Sequence, residues 1–153
     1  MTGGTVAYCR IIGNTSYGHG GGIYQTGGLL RNSLITGNKT ADASKNGGGV
    51  CMANAAALME SCTVAGNESG GTGKGLYITA GEVINSIIYA NNATPNVTQN
   101  GGTITYSCMT PLVGDATSGN IDGDPFFTDA TAGDYTLSLG SAAVDRGINQ
   151  EWM

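Results

Sequence analysis

The sequence predicts an all-β fold, a single-stranded parallel β-helix of the solenoid kind, and three observations predict it. Glycine makes 27 of the 153 residues, and each glycine in a helix interior costs about 1 kcal/mol relative to alanine. The chain carries many short runs rich in Ile, Val and Thr, which suit a pleated, half-buried surface. Five segments then align without gaps: residues 6–11, 30–35, 59–64, 83–88 and 104–109. Repetition at 20–30 residues with short β-type runs and inserts of variable length is the mark of a solenoid.

Each element of the repeat has a physical reason. Val6, Cys9 and Ile11, with their equivalents, point inward, with a corner between the first two. The small position steps through Cys9, Ser33, Cys62, Ser86 and Ser107, at spacings of 24, 29, 24 and 21. A small thiol or hydroxyl fits a tight interior file where leucine would overpack. Three residues after the last aliphatic come Asn14, Asn38, Asn67 and Asn91. Asparagine tolerates the left-handed backbone region, so these residues are predicted to form corners and to bond to one another along the stack. A second element lies between the aligned segments: Gly21-Gly22-Ile23-Tyr24, Gly48-Gly49-Val50-Cys51, Lys74-Gly75-Leu76-Tyr77 and, in weaker form, Pro95-Asn96-Val97-Thr98. Five coils spaced at the parallel-strand distance make a rod of about 20–25 Å. Sequons for N-glycosylation fall at Asn14, Asn38, Asn67, Asn92 and Asn96; the stacked ladder accounts for the first three without a glycan.

Composition narrows the function. Lys and Arg total 6 against 11 Asp and Glu, a net charge of −5, so no basic face exists for nucleic acid. Collagen would need a strict three-residue glycine period, and a disordered chain would lack the β-branched residues. No stretch reaches the roughly 20 apolar residues of a membrane span. Residues 110–153 hold seven acidic side chains and one basic one, whereas residues 1–109 hold four acidic and five basic. That shift divides the chain into coils at 3–109 and a C-terminal capping segment at 110–153. Phe126, Phe127, Tyr135, Leu137, Leu139 and Val144 are the predicted lid residues.

The pairing of Gly-Gly-(Ile/Val) with an aliphatic-x-x-Asn element resembles the GGAI and FxxN repeats of chlamydial-type polymorphic outer-membrane proteins, with an aliphatic in place of the family's Phe. More broadly it resembles right-handed parallel β-helix proteins of bacterial surfaces. In the tail, Asn120-Ile121-Asp122-Gly123-Asp124-Pro125-Phe126-Phe127, Gly133-Asp134-Tyr135-Thr136-Leu137 and Gly140-Ser141-Ala142-Ala143-Val144-Asp145-Arg146-Gly147 closely resemble the C-terminal end of β-helix proteins with a choice-of-anchor Q domain. Ala142 stands for that family's proline, and the chain stops before its closing segment, so a truncated chain is expected. The resemblance implies a right-handed coil and a secreted or cell-surface bacterial protein, but no single activity.

Candidate sites follow from the residue types. The predicted inner column puts Cys9 and Cys62 about 9–10 Å apart, two rungs at the parallel-strand spacing and beyond disulfide reach. Cys51 and Cys108 fall on other strand elements, predicted outward-facing. With no CxxC and one histidine, no zinc site is predicted, and the thiols read as inert. His19 is the single candidate for a nucleophile's partner, but the predicted inward Cys9 gives that pair poor geometry. Gly70-Gly71-Thr72-Gly73-Lys74-Gly75 approximates a phosphate loop but lacks its first glycine and final Ser/Thr. Asp122, Asp124, Asp129 and Asp134 cluster in sequence and suit either calcium or turn capping.

The inserts after each Asn corner project from one edge and carry Tyr17, His19, Asp42, Lys45 and Lys74, beside an outward row of Tyr24, Cys51, Tyr77 and Thr98. Aromatic faces beside polar groups suit sugar rings, so Tyr17, His19, Tyr24, Asp42, Lys45, Lys74 and Tyr77 are the candidate ligand-binding residues, with a polysaccharide or surface glycan as the partner. No cofactor, metal or catalytic residue is predicted. The alternative is a fragment of a β-helix polysaccharide lyase or glycoside hydrolase, which would need a base facing an acidic or metal neutraliser or paired carboxylates.

Overall fold

The computed structural model describes residues 1–93, 95–115 and 117–151. The described chain is nearly all strand, interrupted by one short 3₁₀ turn at Ala130–Ala132. Three parallel sheets stack as a β-solenoid of about four turns. The first contains Thr5–Ala7, Gly28–Arg31, Val50–Glu60, Leu76–Ile84 and Val97–Gln99 in that order, with Ile23–Gln25 and Thr103–Thr105 joined to its longer strands. The second runs Arg10–Ile12, Leu34–Thr36, Thr63–Ala65, Ile87–Tyr89 and Cys108–Met109. The third, of Thr15–Ser16, Lys39–Thr40 and Glu68–Ser69, follows the Asn positions.

The five aligned segments stack in the register in which they align. Val6, Leu30, Met59, Val83 and Ile104 are successive partners, as are Ile11, Ile35, Val64, Ile88 and Met109. On the inner rungs these side chains are fully buried: Leu30, Ile35, Met59, Val64, Val83 and Ile88 are all at 0% exposure. Burying one such aliphatic contributes about 1.5–3 kcal/mol, so each added rung extends one continuous core.

Two hydrogen-bonded columns tie the rungs together. In the first, the backbone N–H of each small residue donates to the side chain on the next rung: Cys9 to Ser33 Oγ at 3.1 Å, Cys62 to Ser86 Oγ at 3.2 Å and Ser86 to Ser107 Oγ at 3.0 Å. On the rung between, the Ser33 N–H acts on the Cys62 thiol to lower its pKa, against the larger effect of burial. Each hydroxyl or thiol donates back to the carbonyl two residues earlier, as Ser33 does to Arg31 at 2.8 Å and Cys62 to Glu60 at 3.2 Å. The intervening residue turns the corner in the left-handed region: Tyr8, Asn32, Ser61, Asn85 and Tyr106 have φ of 56, 46, 49, 52 and 50°. That conformation costs an L-residue roughly 1–2 kcal/mol, which the column bonds offset.

The second column is the asparagine ladder. Asn14, Asn38 and Asn67 each donate N–H and Nδ2 to the Oδ1 of the next asparagine, at 2.9–3.0 Å. Asn91 donates likewise to Asn96 at 2.8 and 3.0 Å. The left-handed residue at this corner is not the asparagine, as the sequence suggested, but the residue before it: Gly13, Gly37, Gly66 and Ala90. The glycine pairs of the second repeat element explain themselves here. A Cβ on Gly49 would meet Asn67 Nδ2 at 2.9 Å, and one on Gly75 would meet Asn91 Nδ2 at 2.4 Å. The ladder therefore lies directly on the glycine strand, and the two sequence elements recur together because each makes room for the other.

The tail departs from the predicted lid. Its antiparallel hairpin, Phe127–Asp129 with Asp134–Leu137, lies along the side of the solenoid. Tyr135 Oη shares a 2.9 Å hydrogen bond with Thr36 Oγ1, a second-sheet residue three rungs before the last strand of that sheet. Phe126, Val144 and Leu139 are 53%, 46% and 105% exposed, so they do not seal an end, whereas Leu137 borders a cavity shared with Cys108 and Ile121; Phe127 packs edge-on against Tyr135, ring centres 5.2 Å apart. The segment that meets the final rung comes earlier. Ile121 bridges Cys108 in parallel, and Asn120 Oδ1 accepts the Ser107 N–H at 2.9 Å, taking the next place in the first column.

Candidate functional site

The predicted outward row is present. Tyr24 pairs with Cys51, Cys51 with Tyr77, and Tyr77 with Thr98. Because neighbouring rungs are separated by the inter-strand distance, the two tyrosines stand about 10 Å apart with one small residue between them. The result is a groove of about 180 Å³, walled by Tyr24, Tyr77 and His19 and lined by Asn46, Cys51, Ala53 and Thr79. Tyr24 is 45% exposed, and the Tyr77 hydroxyl is held by Asn100 Nδ2 at 3.1 Å.

His19 enters the groove because its loop is pinned to the next rung. Asn46 N–H donates to His19 Nδ1 at 3.0 Å, and Gly20 N–H donates to the Asn46 carbonyl at 3.0 Å. Nδ1 is thus the acceptor nitrogen of this ring, which leaves Nε2 as its donor. The His19 ring centre lies 6.4 Å from that of Tyr24.

Cys51 is buried rather than outward-exposed, at 2% exposure, because the flanking tyrosines and the loops beside them cover a side chain too short to emerge. Burial pushes its thiol up to about 11. Cys108 is buried as well, at 4%, and is also pushed to about 11; Cys62 reaches about 12. All three are thiols rather than thiolates at neutral pH and are poor nucleophiles. Cys9 keeps its place in the inner column but is exposed.

Only three of the seven candidate ligand-binding residues converge. His19, Tyr24 and Tyr77 line the groove, while Tyr17 stands apart, 81% exposed. Asp42 caps its own turn, its Oδ1 accepting Ser44 N–H at 2.8 Å and Ser44 Oγ at 2.7 Å, and those bonds lower its pKa. Lys74 Nζ donates to the Ser69 and Gly71 carbonyls at 2.6 and 2.8 Å, bracing its loop. Lys45 contributes its backbone carbonyl, which accepts from the Thr40 and Ser69 hydroxyls at 3.1 and 2.8 Å. Lys39 and Glu68 pair across adjacent rungs at 2.9 Å. Asn46 and Asn100 went unnoticed in the sequence, since neither sits on a repeat position.

Most tail carboxylates serve their own turns: Asp124 accepts the Phe126 N–H at 2.8 Å, whereas Asp122 accepts the Thr110 hydroxyl, twelve residues back, at 2.7 Å. Asp115, Asp129 and Asp134 each accept bonds from residues two or three positions on, and these bonds lower all three pKa values. Among the described residues no three His, Cys, Asp or Glu side chains are grouped as a metal site, and no helix is long and apolar enough to cross a membrane. Comparison of the chain with protein-family models, curated proteins and solved structures returned no match.

Proposed function

We propose that this chain is a non-catalytic module of a secreted or cell-surface bacterial protein, a structural or adhesive right-handed β-helix that binds carbohydrate in the Tyr24–Tyr77 groove. The observation that carries the reading is two tyrosines held in register on either side of a buried small residue. Aromatic faces with polar groups at their margin stack on sugar rings while Asn and His side chains bond to hydroxyls. A volume of about 180 Å³ falls below the roughly 300–1,000 Å³ of an enclosing ligand site, so the groove suits one ring of a longer chain. No carboxylate lines it, whereas glycoside hydrolysis needs a pair. Of Lys45 and Lys74, the two loop lysines available as a lyase's base, Lys74 is engaged with two carbonyls of its own loop. The bacterial surface setting rests on the repeat and tail motifs alone.

The test is retardation of the protein in gels containing a panel of neutral and acidic polysaccharides. Tyr24→Ala and Tyr77→Ala should each weaken binding about tenfold with unchanged thermal unfolding, in keeping with a loss of about 0.5–1.5 kcal/mol beyond area burial. Binding that survives both substitutions would refute the groove. Unsaturated or new reducing ends released from any polysaccharide would favour the lyase or hydrolase alternative.

A further inference from the structure

The tail hairpin and the corner between the first two sheets enclose a cleft of about 380 Å³, within the roughly 300–1,000 Å³ of a small-molecule site. Arg10, Asn32, Leu34, Ser61 and Thr63 line it from the solenoid, and Asp134 and Tyr135 from the hairpin. None of these residues lines the Tyr24–Tyr77 groove. The hairpin wall is fixed, since Tyr135 bonds to Thr36 at 2.9 Å and packs edge-on against Phe127. Walls set in place before binding reduce the ordering cost of taking a ligand.

Asn85 displays what an amide at this corner does. Its Nδ2 donates to the Ile148 carbonyl at 2.7 Å, and its Oδ1 accepts the Ile148 N–H at 2.9 Å. One planar side chain thus takes an acceptor and a donor side by side. Asn32 holds the same left-handed corner two rungs earlier, with φ of 46° against 52°. Among the described residues, however, its side-chain amide bonds to nothing, and it borders the cleft instead. On the rung between, the Ser61 hydroxyl oxygen is enclosed without a hydrogen-bond partner, so turning it to the cleft breaks no bond. The charges are matched as well. The Arg10 guanidinium offers only donors and the Asp134 carboxylate only acceptors. Asp134 Oδ1 is taken by the Thr136 N–H and hydroxyl at 3.0 and 2.6 Å, which leaves Oδ2. Among the described residues the ion pair joins Lys39 to Glu68, so Arg10 and Asp134 are not spent on each other.

We propose that this cleft is a sugar site separate from the groove, and that it takes one neutral ring. Hydroxyls on adjacent carbons offer Asn32 the same donor and acceptor pair that the Ile148 backbone offers Asn85. A further hydroxyl donates to Asp134 and another accepts from Arg10, while Leu34 and Tyr135 lie against the apolar face of the ring. A ligand with net charge of either sign meets a like charge in the cleft; a neutral polyol does not. An amino acid could satisfy Arg10 and Asp134 but has no hydroxyl pair for Asn32. The site stands whether or not the Tyr24–Tyr77 groove binds glycan.

The experiment titrates the labelled whole protein with the methyl glycosides of glucose, galactose and mannose and follows backbone amide shifts. At least one sugar should give saturable shifts at Asn32, Ser61 and Tyr135. Asn32→Gly keeps the left-handed corner, which glycine adopts readily, and removes only the amide; binding should weaken about tenfold. Arg10→Gln, at an exposed position, should weaken it by a similar factor. Both variants should keep the dispersed spectrum of the folded protein. The protein with Tyr24→Ala and Tyr77→Ala should show the same cleft shifts as the unaltered chain. The proposal is overturned by the absence of saturable cleft shifts with all three glycosides, by binding indifferent to Asn32→Gly or to Arg10→Gln, or by tighter binding of galacturonate or of glycine than of the neutral sugars.

Discussion

Asn67 in the rungs and Asp134 in the tail are both polar side chains with satisfied hydrogen bonds, and they do opposite things. Asn67 joins residues far apart in sequence: it accepts from Asn38, and donates to Ile35 and Asn91. Asp134 accepts from Thr136 alone, through its N–H and its hydroxyl. The first is at 0% exposure, the second on the surface of a hairpin. In the solenoid a polar group is a cross-link between coils, and its loss strands several partners in a dry core. In the tail a polar group shapes one turn, and water can replace it. The molecule therefore has a rigid, mutually dependent body and an appended segment whose contacts are largely local.

The contrast yields a ranked set of expectations. Asn67→Ala should cost most, at least about 3 kcal/mol in urea unfolding, because several buried partners each lose a bond worth about 1–3 kcal/mol; a loss below about 1 kcal/mol would erase the distinction. Gly75→Ala comes next, at about 1–3 kcal/mol from overpacking, because its Cβ would stand 2.4 Å from Asn91 Nδ2 and 2.8 Å from Ile88 Cγ2. Acid sharpens the comparison. The lowered carboxylate pKa values of Asp115, Asp129 and Asp134 mean that their stabilisation is present above the ordinary carboxylate value of about 3.9 and is lost as pH falls through the lower folded values. Amide exchange of Thr117, Ala132 and Thr136 should then accelerate, beyond the intrinsic pH effect, before that of Asn38 and Asn67, whose ladder holds no titrating group. Phe126→Asp should change least, by no more than about 0.5 kcal/mol, since Phe126 is already 53% exposed. Precipitation of that variant would restore the lid that the hairpin's position argues against.

The difference between the two regions also governs what could be read from the sequence. Register was legible because an aliphatic at one position and a small residue three on recur in every coil, and the chain stacks them as aligned. The fusion of two elements into the long strands Val50–Glu60 and Leu76–Ile84 left no such mark, since Asn54, Ala55 and Ala56 carry no strand signature. The Tyr24–Cys51–Tyr77 row followed from the same periodicity. The burial of Cys51 did not, because it depends on the reach of neighbouring rings rather than on alternation. The position of the tail left no mark in the sequence. Its position is fixed by single polar contacts, Tyr135 with Thr36 and Asn85 with the backbone of Ile148, and a single contact has no period to detect. The same holds for Lys74: a charge in an insert has no period, and here it is held by two carbonyls of its own loop.

The central claim is that asparagines from successive coils share hydrogen bonds through the core. Its most direct test is a through-hydrogen-bond scalar coupling between the Asn38 amide nitrogen and the Asn67 side-chain carbonyl carbon, measured on uniformly labelled protein. A resolved coupling at that pair, repeated for Asn67 to Asn91, is the predicted result. An Asn38 amide coupled to a backbone carbonyl of its own coil instead would contradict it.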